Sequence, residues 1–277
     1  MFEATASDSS WKAYLELNLR HIADKTRLIP QKRFGPLSVQ RPFYPENDLC
    51  HLYLLHPPGG IVGGDQLQLN VLAEEGSHSL ITAPGANKFY RSAGNQALFN
   101  QNFIIKENAT LEFLPLENIY FPGAIVNAVT DIHVADHSQF IFWESHCFGR
   151  PSIDELFDFG EVKLLINITD SNGLILTEKQ RITSEKINSS CVMRGYSVVS
   201  SMLTYGHHFT KDEMTQLREV TVNAGYLSIT QFTEELLIIR YLGNSTADAQ
   251  SALRKIWKLL RTKVINRKYC MPRIWNT

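Results

Sequence analysis

Apolar and polar side chains alternate along residues 14–20, with Leu15, Leu17 and Leu19 set against Glu16, Asn18 and Arg20. A period of two is the mark of a strand with one buried face. The same pattern places Leu52 and Leu54 on a strand before residue 56, and Leu67, Leu69 and Val71 on another after residue 65. Further strands are predicted near residues 66–73, 78–83, 97–105, 109–114, 129–134 and 138–143. Others follow near 161–168, 173–182, 196–204, 226–232 and 235–242. Turn pairs punctuate them, among them Glu75-Gly76, Pro84-Gly85, Pro122-Gly123 and Asn172-Gly173. Many short strands with few helices between them predict a mainly β chain rather than a βαβ sheet. Residues 33–45, broken by Pro36, Pro42 and Pro45, read as extended, irregular backbone.

The period changes in two places only. Thr210 and Glu213 have the spacing of a capping box, and Met214 and Leu217 then share a helical face. After Ser245 or Thr246, a stripe of Ala249, Leu253, Ile256, Trp257 and Leu260 predicts a second, core-facing helix. The remainder of that helix is basic, with Arg254, Lys255, Lys258, Arg261 and Lys263. Such a face is more often a solvated helix surface than a binding site.

The chain pivots on residues 56–65, His-Pro-Pro-Gly-Gly-Ile-Val-Gly-Gly-Asp. Pro57 and Pro58 fix φ, while Gly59, Gly60, Gly63 and Gly64 permit conformations and close approaches closed to other residues. The segment predicts a rigid structural loop between two strands, with Asp65 at its exit. It does not spell a phosphate-binding motif, and no G-x-x-x-x-G-K-[ST] occurs in the chain. Neither a nucleophile elbow nor a zinc helix of the H-E-x-x-H type is present.

Composition narrows the classes. The chain has 277 residues, 44% of them apolar and 20% charged, as in an ordinary globular protein. A formal net charge of −1 gives no electrostatic case for nucleic acid. No apolar run reaches the ~20 residues of a membrane span, and residues 1–10 lack the profile of a secretion signal. A cytoplasmic protein is the expectation, with 1–10 a loose leader and 11–277 a single domain. Cys50, Cys147, Cys191 and Cys270 are scattered and form no C-x-x-C pair.

Candidate chemistry rests on carboxylates in apolar strand contexts: Asp65, Glu144 and Glu178. A carboxylate beside a buried strand must be paired, solvated or bound to a cation. Salt bridges or exposed strand ends are one reading, and an oxygen-lined route for a divalent cation is the other. A metal-dependent hydrolase with Asp65, Glu144 and a histidine as ligands is a third, from a different class. The adjacent pairs Cys50-His51, His146-Cys147 and His207-His208 would chelate poorly, because neighbours on a strand face opposite ways.

Six blocks in order resemble the UreD family of urease accessory proteins, called UreH in some organisms. They are Gly35-Pro-Leu-Ser-Val-Gln-Arg-Pro-Phe-Tyr-Pro-Glu46, residues 50–65, Pro84-Gly-Ala-Asn-Lys-Phe-Tyr-Arg-Ser92, residues 111–124, Gly149-Arg-Pro151 and Pro272-Arg-Ile-Trp275. The resemblance spans nearly the whole chain. It implies a coiled, β-helix-like or sandwich-like fold with two helices, and a scaffold and chaperone rather than an enzyme. It further implies binding to UreF and through it the GTPase UreG, docking on urease apoprotein, and nickel passing through an internal channel with no tightly bound cofactor. By matching motif, Asp65, Glu144 and Glu178 become the expected lining of that path, with Asn87 a further candidate at a position where a smaller polar residue is expected. Phe43 and Tyr44 in the proline-stiffened block, and Arg273 and Trp275 near the C-terminus, are the expected partner contacts.

Overall fold

The computed structural model describes residues 10–276. Two sheets face one another. The chain begins with β1 (Lys12–Ile22), β2 (Lys25–Phe34), β3 (Ser38–Val39), β4 (Cys50–Leu55) and β5 (Gln66–Ala73). It continues with β6 (His78–Thr82), β7 (Asn87–Phe89), β8 (Ala97–Ile105), β9 (Thr110–Leu114), β10 (Asn118–Tyr120) and β11 (Ile125–Val134). Then come β12 (Gln139–Phe148), β13 (Glu161–Asp170), β14 (Gly173–Thr183), β15 (Val198–Tyr205), β16 (Tyr226–Gln231) and β17 (Leu236–Gly243). Helix α1 (Lys211–Arg218) precedes β16, and α2 (Thr246–Val264) follows β17.

From β4 to β13 the longer strands alternate between the two sheets. β5, β8, β11 and β13 stack in parallel in the first sheet, and β4, β6, β9 and β12 stack in parallel in the second. The chain thus winds as stacked coils, the β-helix-like arrangement expected. Antiparallel strands finish the edges: β2 and β14 in the first sheet, and β15, β17 and β16 in the second.

The alternation seen in the sequence is the cause of this packing. Leu15, Leu17 and Leu19 of β1, and Leu67, Leu69 and Val71 of β5, are all buried between the sheets. β12 is buried on both faces. Phe140 and Phe142 point into the intersheet core, while Ile141 and Trp143 join a second core against the helices.

β2 was not foreseen. It carries charges and Pro30, and it bulges at residues 30–31 opposite Leu17 of β1. An edge strand tolerates both features. The segment expected to be irregular, 33–45, is strand as far as Phe34 and pairs again at β3. Both helices start as predicted. Thr210 and Glu213 form the capping box, and the Ser245 hydroxyl accepts the Asp248 amide.

One buried ionic cluster fastens α2 to the second sheet. Arg261, fully buried, reaches Glu112 of β9 at 3.1 Å and Glu46 at 2.7 Å, and Trp257 Nε1 donates to Glu112 at 2.7 Å. Burial opposes ionisation of Glu46, but hydrogen bonds from His51 and Arg261 overcome it and hold its carboxyl down at about 2.

Candidate functional site: a buried polar seam

Most inward positions of the two sheets are apolar, but one cross-strand row is not. In the first sheet Leu15, Leu69, Gln101, Thr130, Ile166 and Glu178 stand in register across β1, β5, β8, β11, β13 and β14. In the second sheet Glu144, Ser201 and Arg240 stand in register across β12, β15 and β17. The polar members of the two rows meet. Gln101 Nε2 donates to Glu144 Oε1 at 2.6 Å and to Thr130 Oγ1 at 3.0 Å, and the Thr130 hydroxyl donates to Glu144 Oε1 at 3.3 Å. At the outer end Arg240 donates to Glu178 Oε2 at 2.6 Å.

A second row leads away from Glu144. Asn87 of β7, Asn118 of β10 and His146 of β12 are in register, and Asn87 Nδ2 donates to Asn118 Oδ1 at 2.9 Å. His146 Nε2 lies 3.6 Å from Glu144 Oε2, and its Nδ1 lies 3.0 Å from the Tyr120 hydroxyl. Stacked beside this row are Phe89, Tyr120 and Phe148, with ring centroids 4.9 and 5.1 Å apart. Asn87 also lines a cavity of about 420 Å³, bounded by Leu54, His56, Pro57 and Gly59. The polar side chains therefore run from that cavity through Asn118, His146, Glu144 and Ser201 to the Arg240–Glu178 pair at the far edge.

Electrostatics single out Glu144. It is 6% exposed and pairs with a histidine rather than with a lysine or arginine. Its other side-chain partners are the neutral donors Gln101 and Thr130. Burial, and then the charge of Glu144, push the Tyr120 hydroxyl well above its ordinary pKa, so it stays protonated. Toward the cavity, burial lowers the pKa of His56, with Asp65 acting in the opposite direction.

The expected site residues are thus divided by the structure. Glu144 is central, Asn87 leads in from the cavity, and Glu178 closes the outer end. Asp65 stands apart: its two carboxylate oxygens accept the backbone amides of Trp11 at 2.8 Å and Val62 at 2.9 Å. It clasps the glycine loop to the start of β1. Gly63 is required by close approach, since a Cβ there would overlap Ser92 and the Asn95 carbonyl, whereas one on Gly60 would meet only the Tyr90 ring. Among the described residues no three His, Cys, Asp or Glu side chains are grouped to hold a metal. Asp65, Glu144 and a histidine do not form the converging ligand set of a hydrolase.

The expected partner contacts are also spread out. Phe43 is 39% exposed and packs on Tyr53, and Tyr44 lies under the Lys25 ammonium. Arg273 is exposed, whereas Trp275 folds against Trp143 and Trp257 and donates to Thr82 at 2.9 Å. Among the described residues no helix is long and apolar enough to cross a membrane.

Sequence reasoning missed Gln101, Thr130, Asn118 and Ser201, and it set His146 aside. A signal was present: Gln101 and Thr130 occupy inward positions of alternating strands otherwise filled by Phe99, Phe103, Ala128 and Ile132. Polar residues at core positions ask for partners.

A coiled, two-sheet body with a polar seam through its core is the class of protein defined here. The sequence model of the UreD urease accessory protein family matches residues 12–276. The chain is 41% identical to the urease accessory protein UreD of Enterobacter sp. (strain 638) over 96% of both chains. It is likewise 41% identical to UreD of Vibrio parahaemolyticus over the full length of both, and 39% identical to UreD of Klebsiella aerogenes over 96% of this chain and 97% of that one. The chain belongs to the UreD family of urease accessory proteins.

Proposed function

We propose that this chain is a scaffold of urease maturation that passes nickel, as cargo, along the seam from Asn87 to Glu178 and performs no bond chemistry of its own. It acts in the cytoplasm, binds UreF and through it the GTPase UreG, and docks on urease apoprotein. The observation that carries the reading is the buried Glu144, held by Gln101 and Thr130 and faced by His146. A borderline cation such as nickel accepts carboxylate, imidazole and amide ligands. Transit needs weak, successive contacts, because a closed cage would trap the ion. The spaced Asn87, Asn118, His146, Glu144 and Glu178 suit that requirement.

Exposed Phe43 and half-buried Tyr44, in the segment leading to β4, and Arg273 are the proposed partner contacts, with Trp275 fixing the segment that carries Arg273. The test is reconstitution from purified UreF, UreG, urease apoprotein and this chain. The expected result is a stable assembly that needs this chain for urease activation, with UreF recovery reduced by Phe43→Ala plus Tyr44→Ala. Full activation without the chain would remove the reading.

A further inference from the structure

A groove runs along the N-terminal half of α2, on the side of the second sheet away from the seam. One part, of about 610 Å³, lies between Glu117 and the helix residues Gln250, Arg254 and Lys258. A second part, of about 630 Å³, shares Glu117, Thr246 and Ala247 and extends toward Arg150. Each is of a size that takes sizeable ligands, ~300–1,000 Å³.

The groove holds polar atoms without partners. Gln250 is 8% exposed, and neither its Nε2 nor its Oε1 has a hydrogen-bond partner among the described residues. Arg254 Nε is likewise buried and unpartnered, although its guanidinium lies over the Trp275 ring. Leaving such atoms unsatisfied carries the full cost of their desolvation. Interchanging the amide oxygen and nitrogen of Gln250 changes nothing, because both are orphaned. At the head of the groove the amides of Thr246 and Ala247, in the first turn of α2, have no intrahelical acceptor.

We propose that this groove receives an extended, acidic segment of a partner protein. Gln250 holds a donor and an acceptor side by side just beneath the groove surface, and a turn of its side chain lets a peptide group complement both; a simple anion offers acceptors alone. Arg254, Lys255 and Lys258 outnumber Glu117, so the lining favours a carboxylate side chain. The adjoining parts give length along the helix rather than one round pocket. The proposal rests on the maturation reading, in that the partner is a component of that assembly.

The test uses the full chain with purified UreF and with urease apoprotein. Gln250→Leu removes both orphaned atoms, so the isolated variant is expected to melt no lower than the wild type. It is nevertheless expected to bind one of the two proteins at least tenfold more weakly, as is Lys258→Glu. A photo-cross-linking residue at the exposed Ser251 is expected to capture a peptide of that protein containing Asp or Glu. Wild-type affinities for both variants, or cross-links confined to basic segments, overturn the proposal and leave the maturation reading standing. Failure of the wild type to bind either protein removes both. Saturable binding of inorganic phosphate, abolished by Lys258→Glu and untouched by Gln250→Leu, points to a plain anion site and also overturns it.

Discussion

Gln101 and Glu144 join the two sheets through a 2.6 Å hydrogen bond within the core. The pair is asymmetric in its energetics. Replacing Gln101 by Leu leaves a buried carboxylate short of a donor, and a loss of about 1–3 kcal/mol is expected. Replacing Glu144 by Leu removes the charge together with its desolvation cost, while Gln101 keeps Thr130. A change within about 1 kcal/mol, of either sign, is expected. Urea denaturation of the two variants checks the contrast. Equal losses would mean that Glu144 is held for stability alone.

At the other end of the seam, Glu178 neutralises Arg240. Removing Glu178 alone leaves an uncompensated guanidinium where the polar seam meets solvent, and a guanidinium there repels a cation. Nickel loading of urease is expected to fall with Glu178→Ala and to recover in part with Glu178→Ala plus Arg240→Ala. Stability should move by less than about 1 kcal/mol, because the pair is partly exposed. Loading measured on both variants decides whether charge or shape matters there.

The glycine loop offers a graded test of close packing. A methyl on Gly60 meets the ring of Tyr90, which is 38% exposed and can swing away. A methyl on Gly63 meets the Asn95 carbonyl, which is backbone and cannot. Gly63→Ala should therefore cost about 1–3 kcal/mol, and Gly60→Ala less. Thermal melts of the two variants measure the order.

Acid should loosen α2 from the second sheet. The Glu46 carboxyl is held at about 2 in the folded chain, below its ordinary value of 4.5. The folded state therefore binds fewer protons between those values, and stability rises with pH across that window. The contribution is complete above about 4.5 and is lost as pH falls through about 2. Trp257 of α2 packs against Trp275, so tryptophan emission against pH reports the loosening. Glu46→Gln is expected to flatten the low-pH limb.

Where one face of a strand is buried and the other wet, as in β1 and β5, the fold was readable from alternation alone. It was unreadable in β2, whose charges and proline are tolerated because it forms an edge. It was also unreadable in β7 and β10, three residues each, which are too short to show a period. The coiling of parallel strands came from the family resemblance and not from spacing. For the site, the sequence singled out acidic residues by type, and register decides among them. Glu144 and Glu178 sit on facing rows, whereas Asp65 spends both oxygens on backbone amides. His146 was discounted for adjacency to Cys147. The strand separates the two, sending His146 toward Glu144 and Cys147 toward the opposite face.

The nickel content of urease, matured with the Glu144→Leu chain in an otherwise complete and intact assembly, tests the central claim most directly. Metal per urease active site well below that obtained with the wild-type chain, at equal recovery of the assembly, is the predicted result. Loading equal to wild type would contradict passage along the seam and leave this chain a scaffold alone.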